Sequence, residues 1–309
     1  MHPAFSVIVF TTATGAGYGL LAMLGALAVI GRLPADARFG LATLAIALVL
    51  ITGGLLSSTL HLGRPERAWR AFSQWRSSWL SREGIASVVT YVPAGVFGIA
   101  WVVLQRTDGI VVWAGAASVV CAVATLVTTG MIYASLKPIP QWHSVYTVPG
   151  YIIYALMSGV VLLHAILRVW GQPVTAVAWA ALALTAIGWG WKIATWRHND
   201  ALAEPVSTNS ATGLAGGNIH SVEWPHTEAN FVMKEMGYRI ARKHAVKLRL
   251  FVHALAFAIP LAFTALALGA VAAPVAATLA VVAQAIGLLV ERLLFFAEAR
   301  HVVGLYYGR

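Results

Sequence analysis

Long apolar runs alternate with short polar intervals along the whole chain. Eight of the runs, at about residues 5–31, 40–60, 84–104, 110–135, 148–169, 174–194, 250–270 and 272–292, are near the length that crosses a membrane. A helix rises 1.5 Å per residue, so about 20 apolar residues span the roughly 30 Å hydrocarbon core. The pattern predicts an all-α fold, an eight-transmembrane-helix bundle forming one domain over residues 1–309, with both termini on one side. Composition agrees: 59% of the residues are hydrophobic and 10% charged, against about a quarter charged in a soluble domain. The N-terminal MHPAFSVIVFTT has no basic n-region, and the apolar stretch after it continues without a small-residue cleavage site. It reads as the first spanning helix and not as a signal peptide.

Eight crossings place loops 61–83, 136–147 and 192–249 on the same face as the termini, here called side A. Of the 21 Lys and Arg residues, 17 fall on side A and only Arg32, Arg38, Arg106 and Arg168 on side B. Leaving out the long loop 192–249, the ratio is still 9 to 4. The positive-inside rule therefore puts side A in the cytoplasm of a bacterial inner membrane. The net charge of +10 then records sidedness, and nucleic acid is not an expected partner.

The loop His61 to Gly84, HLGRPERAWRAFSQWRSSWLSREG, is the most unusual stretch. His61 follows an apolar helix, where a hydrophobic cavity meets water, and an imidazole there can hydrogen-bond a quinone carbonyl or exchange a proton with it. Glu83 is the natural second group, because a carboxylate facing a bundle interior marks a proton or ion route. Arg64, Trp69, Trp75 and Trp79 supply charge and flat amphipathic surface between them. The plainer reading makes His61 an interfacial cap, the tryptophans an aromatic belt, and Arg67, Arg70 and Arg76 positive-inside anchors or a docking surface.

Elsewhere the chemistry is sparse. One cysteine, Cys121, permits no intramolecular disulfide and cannot ligate an iron–sulfur cluster by itself; it reads as a small buried hydrophobe. Gly15 and Gly19 form a small-xxx-small face for helix packing. His164 and His253 differ in depth, about 24 Å against about 5 Å from side A, so they cannot share a haem iron. His61 with His253 is the minority haem option, and His253 otherwise reads as a helix–helix hydrogen bond or a pocket wall. No histidine group has metal-ligand spacing. In loop 192–249, STNSATGLAGGN reads as linker, and Pro225 to Arg249 as a basic amphipathic helix. Its Arg239, Arg242 and Lys243 would grip a partner or lie on anionic membrane lipid.

The motifs HLGRP at His61–Pro65, AWR at Ala68–Arg70 and SWLSRE at Ser78–Glu83 resemble those of the DmsC family, membrane anchors of molybdenum oxidoreductases. The N-terminal FTTATGAGYGLL, the segment PHTEANFVMKEMGYRIARKHAVKLR and the ending ERLLFFAEARHVVGLYYGR are more similar to its SoeC-type branch, anchors of cytoplasmic sulfite dehydrogenases. The resemblance implies an iron–sulfur electron-transfer subunit and a molybdopterin catalytic subunit as partners. It also implies a quinone site matching His61 and Glu83, and no haem or cluster in this chain. In the reductase branch the docking side faces the periplasm, whereas the charge count here points it inward. The alternative is a dimethyl sulfoxide reductase-type anchor that oxidises quinol, which would use the same residues in reverse. A transporter is disfavoured, because the spans carry few paired charges at mid-depth and no broken-helix pair in matching halves.

The topology has a direct test. A reporter active only in the periplasm, fused after Arg309, should stay silent, and strong activity would reverse the orientation.

Overall fold

The computed structural model describes residues 5–60, 62–203, 239–269 and 272–302, with 207–214, 216–217, 219 and 222–223. His61 and residues 224–238 lie outside the described residues. Among those described, eight helices are long and apolar enough to span a membrane: α1 (Phe5–Val29), α2 (Ala37–Thr59), α3 (Trp79–Val103), α4 (Ile110–Ala134), α5 (Thr147–Val169), α6 (Thr175–Ala201), α7 (Ala245–Leu266) and α8 (Ala273–Ala297). No strand occurs among the described residues.

Several helices run past the apolar windows of the sequence, most of them at side A; at side B, α2 begins at Ala37, three residues early. Ser78 caps α3, its hydroxyl accepting the Ser81 N–H, so the helix begins five residues early and takes Ser81, Arg82 and Glu83 into its first turns. Helix α6 continues to Ala201, α7 begins at Ala245, and α8 continues to Ala297. The charges that end those windows do not end the helices, because most are paired within the bundle or lie at its edge. Between α6 and α7, STNSATGLAGGN includes a short helix, Thr208–Thr212, capped by Ser207 and closed by Gly213 at φ 69°. Arg239–Lys243 is helical, in the basic stretch expected to be so.

Helix α1 is the hub. It packs on α2, α4 and α5 and buries Tyr18, Leu20, Leu21, Leu24 and Ala28. A Cβ built on Gly19 would collide with the Ala155 carbonyl of α5, and one on Gly159 with the backbone of Gly19. Backbone therefore meets backbone, as expected of a small-residue face, and Gly15 looks toward Ala155 on the same side. Gly25 makes a similar approach to Gly115 of α4.

Most buried hydroxyls are satisfied inside their own helices. Thr14, Thr43, Ser118, Ser158 and Thr185 each donate to the carbonyl four residues back, at 2.7 to 2.8 Å. At side B, Trp101 is buried and donates to the Pro34 carbonyl at 2.9 Å. The Asp36 carboxylate caps α2, and the N–H groups of Phe39 and Arg38 hold its carboxyl below the usual carboxylate range.

Gly19→Ala should destabilise the bundle by about 2 kcal/mol, since overpacking outweighs the roughly 1 kcal/mol of helix propensity gained. Thermal unfolding in detergent reads this out, and an unchanged midpoint would disprove the contact.

Candidate functional site

Glu83 lies about 6 Å inside α3, counted from Trp79, and is 4% exposed. The Thr129 hydroxyl of α4 stands 2.7 Å from its Oε1 and 2.9 Å from the Thr125 carbonyl. One hydroxyl proton cannot fully serve two acceptors. Both contacts are satisfied when the Glu83 carboxyl carries a proton and donates it to Thr129. Below it a polar strip continues through Ser87, Thr90 and Thr125. The buried Tyr18 hydroxyl faces Ser87 and Thr125 but falls short of a hydrogen bond to either. A buried carboxyl amid such hydroxyls is a group that can hold and pass a proton.

The adjoining face of α3 lines a groove with α4. Trp75, Arg82, Ile85, Ala86, Val89, Cys121 and Ala124 enclose about 500 Å³ including its open side. The walls are apolar, and the one charged lining residue is Arg82. Arg82 also donates to the carbonyls of Trp75 and Arg76, at 2.9 and 2.7 Å, and its guanidinium stacks 4.3 Å from the Trp79 ring. It thereby pins the segment between α2 and α3.

That segment is a 3₁₀ helix, Pro65–Gln74, with no buried residue. Phe72 rests on Gly84, where a Cβ would stand 3.0 Å from the ring. Trp69 is 66% exposed, and Arg64, Arg67, Arg70 and Arg76 are all exposed. The loop is thus a basic, aromatic platform above the Glu83 end of α3. Trp79, half-buried, belongs to α3 itself.

A second polar centre is not foreseen by the hydropathy pattern. The charge count places Lys192 and Arg292 on side A, at the ends of their apolar windows, but both lie well inside helices, α6 and α8, with side chains 4% and 6% exposed. Glu291 of α8 is 1% exposed; its Oε1 meets Lys192 Nζ at 2.5 Å and its Oε2 lies 2.9 Å from Arg292 Nε. The Arg292 guanidinium stacks 4.3 Å over the Tyr151 ring. These residues line a narrow cleft of about 480 Å³, mouth included, bordered by Gln141, Asn199 and Glu298 at side A. Beside it Arg249 binds Asp200 through both terminal nitrogens and Glu298 through Nε, at 2.7 to 2.8 Å. Tyr133 of α4 stacks on Tyr151 of α5 at 5.7 Å, and Trp142 packs edge-on against it at 5.3 Å. A signal is present in the sequence: Lys192 has apolar and aromatic residues on both sides, and an acid stands next to Arg292.

The remaining expected residues are dispersed. His253 opens a π turn, His253–Ala258, and its Nδ1 accepts the Trp189 N–H at 2.8 Å. This is the helix–helix bond read from sequence, and His253 lines neither cavity. His164 is buried on α5. Arg242 donates to the carbonyls of Ala297 and Ala299, closing the end of α8, and Lys243 is exposed. The Arg239 side chain lies outside the described residues. No cluster of three His, Cys, Asp or Glu suited to a metal occurs among the described residues.

Comparison with known proteins fits this architecture. The family model described as DMSO reductase anchor subunit, DmsC, matches residues 1–308. The protein is 36% identical to the C subunit of sulfite dehydrogenase from Allochromatium vinosum over 325 aligned positions, 99% of each sequence. It is 30% identical to the C subunit of anaerobic dimethyl sulfoxide reductase from Escherichia coli over 147 positions, 45% of this sequence and 47% of that one.

The ion cluster predicts an order of damage. Glu291→Ala strands two buried cations and should cost about 3–5 kcal/mol. Lys192→Met leaves Glu291 paired with Arg292 and should cost distinctly less. Unfolding of the two variants in detergent checks the order, and equal losses would contradict it.

Proposed function

Because this protein belongs to the DmsC family of anchor subunits, we propose that it holds a molybdenum-dependent, sulfite-oxidising complex on the cytoplasmic face of the bacterial inner membrane. In this reading it passes the complex's electrons to a quinone. The observation that carries the substrate assignment is the end-to-end match to the sulfite dehydrogenase protein, against less than half of each sequence for the reductase protein. Sidedness supports it too. With Lys192 and Arg292 set aside as buried within helices, 15 of the side A cations remain against 4 on side B.

The platform of Arg64, Arg67, Arg70, Arg76 and Trp69 is the docking surface for an iron–sulfur subunit, itself joined to the molybdopterin subunit. Next to it, the α3–α4 groove suits a flat apolar ring, with Arg82 supplying a donor at the rim and Trp75 an aromatic cover. A quinone there takes up two electrons and two protons, and supplies the redox chemistry. The protein's own residues orient the ring, exclude water and hold protons. Glu83 stands one residue from Arg82, on the inward face, as the proton donor; His61 is the second group by motif. The proposal places no haem or cluster in this chain.

Membranes holding the intact complex should show sulfite-dependent quinone reduction. Glu83→Gln and His61→Ala should each lower it by about 100-fold or more, the range of general acid catalysis, while dye-linked sulfite oxidation by the partner survives. Normal quinone reduction in both variants would move the site elsewhere. Sulfoxide-dependent quinol oxidation without sulfite activity would overturn the substrate.

A further inference from the structure

Protons consumed beside Glu83 have to come from water, yet Glu83 is buried and the segment above it is pinned by Arg82 to the carbonyls of Trp75 and Arg76. We propose that they arrive sideways, from the cleft at Glu291 through the hydroxyls of Tyr151 and Tyr133. The inference rests on the reading that quinone is reduced next to Glu83.

Depth supports the route. Counting from the side A ends of their helices at 1.5 Å per residue, Glu83 and Tyr151 lie about 6 Å deep, Glu291 about 9 Å, and Tyr133 nearer the end of α4. They form one layer across α8, α5, α4 and α3, each packed on the next. Tyr133 stands one helical turn beyond Thr129, on the same face of α4, and its ring stacks on that of Tyr151 with centroids 5.7 Å apart. Tyr151 lines the cleft together with Glu291 and Arg292, whose guanidinium lies 4.3 Å from its ring. The proposed series from cleft to carboxyl is Glu291, Tyr151, Tyr133 and Glu83.

Packing alone does not explain the hydroxyls. Phenylalanine would give the same stacking of rings at 133 and 151. The Tyr151 hydroxyl is buried with no hydrogen bond formed, and leaving such a group unsatisfied costs about 1–3 kcal/mol. In the proposed relay that hydroxyl has a use, since the cleft it lines opens to side A. Trp142, held by its N–H to the Phe295 carbonyl at 2.9 Å, packs edge-on against Tyr133.

The transfer balances. Quinone plus two electrons from the partner's iron–sulfur centre and two protons gives quinol, so the relay runs twice per turnover. In each run the Glu83 carboxyl gives its proton to the quinone oxygen. It regains one from Tyr133 as Tyr133 takes one from Tyr151 and Tyr151 takes one from a protonated water of the cleft, which opens to side A. No charge is left on either tyrosine.

The test uses the intact complex in membranes with Tyr133→Phe, Tyr151→Phe and the double variant. Each should lower kcat for quinone reduction about tenfold, leave the KM for quinone within about twofold and enlarge the solvent isotope effect. The double variant should be no worse than the more affected single one, as expected of groups in series. Dye-linked sulfite oxidation should be unaltered. Unchanged kcat and isotope effect in a complex where Glu83→Gln abolishes quinone reduction would overturn the relay and spare the site. Parallel loss of dye-linked activity would make the tyrosines packing groups and also overturn it. A silent Glu83→Gln would remove the quinone site first, and the relay with it.

Discussion

The bundle depends on one contact in which two backbones touch. Without a hydrophobic drive between helices in lipid, association rests on close packing, and small residues permit the closest approach. Gly19 against Gly159 brings α1 and α5 together until no Cβ fits. Helix α4 then closes on both, with Gly25 meeting Gly115. That three-helix centre sets α4 beside α5, and so puts Tyr133 on Tyr151. The polar layer at side A follows from the glycines.

Charge is distributed by the same solvent. Ionised groups in hydrocarbon are expensive and survive only in pairs or next to water. The protein gathers Glu83, Lys192, Glu291, Arg292 and Arg249 within a shallow zone at side A, most of them tied to a partner of opposite sign. Among the described residues side B has no buried ion cluster of this kind; it carries an indole on a carbonyl, a capping aspartate and an exposed Arg106–Asp108 pair. The two faces are thus chemically unlike before any partner binds.

The helix count, the order of the spans and the α1 packing face are legible in the sequence, because hydrophobic length and glycine spacing are local properties. Glu83 is legible too, from its place beside an unusual loop. The Lys192–Glu291–Arg292 cluster is not, since Lys192 stands 99 positions from Glu291 and a window of hydropathy leaves such charges at its ends without showing that they meet. A charge is excluded from a span only if it is alone. His253 shows the opposite case: its tryptophan partner is 64 residues away, yet helix packing is the sound default for a histidine flanked by apolar residues.

The hydroxyls of the core have a consequence for how this sequence can diverge. Thr14, Thr43, Ser118, Ser158 and Thr185 donate to carbonyls that are already bonded within their own helices. Such bonds add little net stability, and an alanine or valine in their place strands no distant acceptor. Mutations at these sites are nearly neutral, so the spans are free to drift as long as volume is kept. Positions such as Thr129, whose hydroxyl bridges two helices to Glu83, do not share that freedom. Distant relatives should therefore keep the glycines and the side A polar layer after the rest of the membrane-embedded sequence has lost all visible likeness.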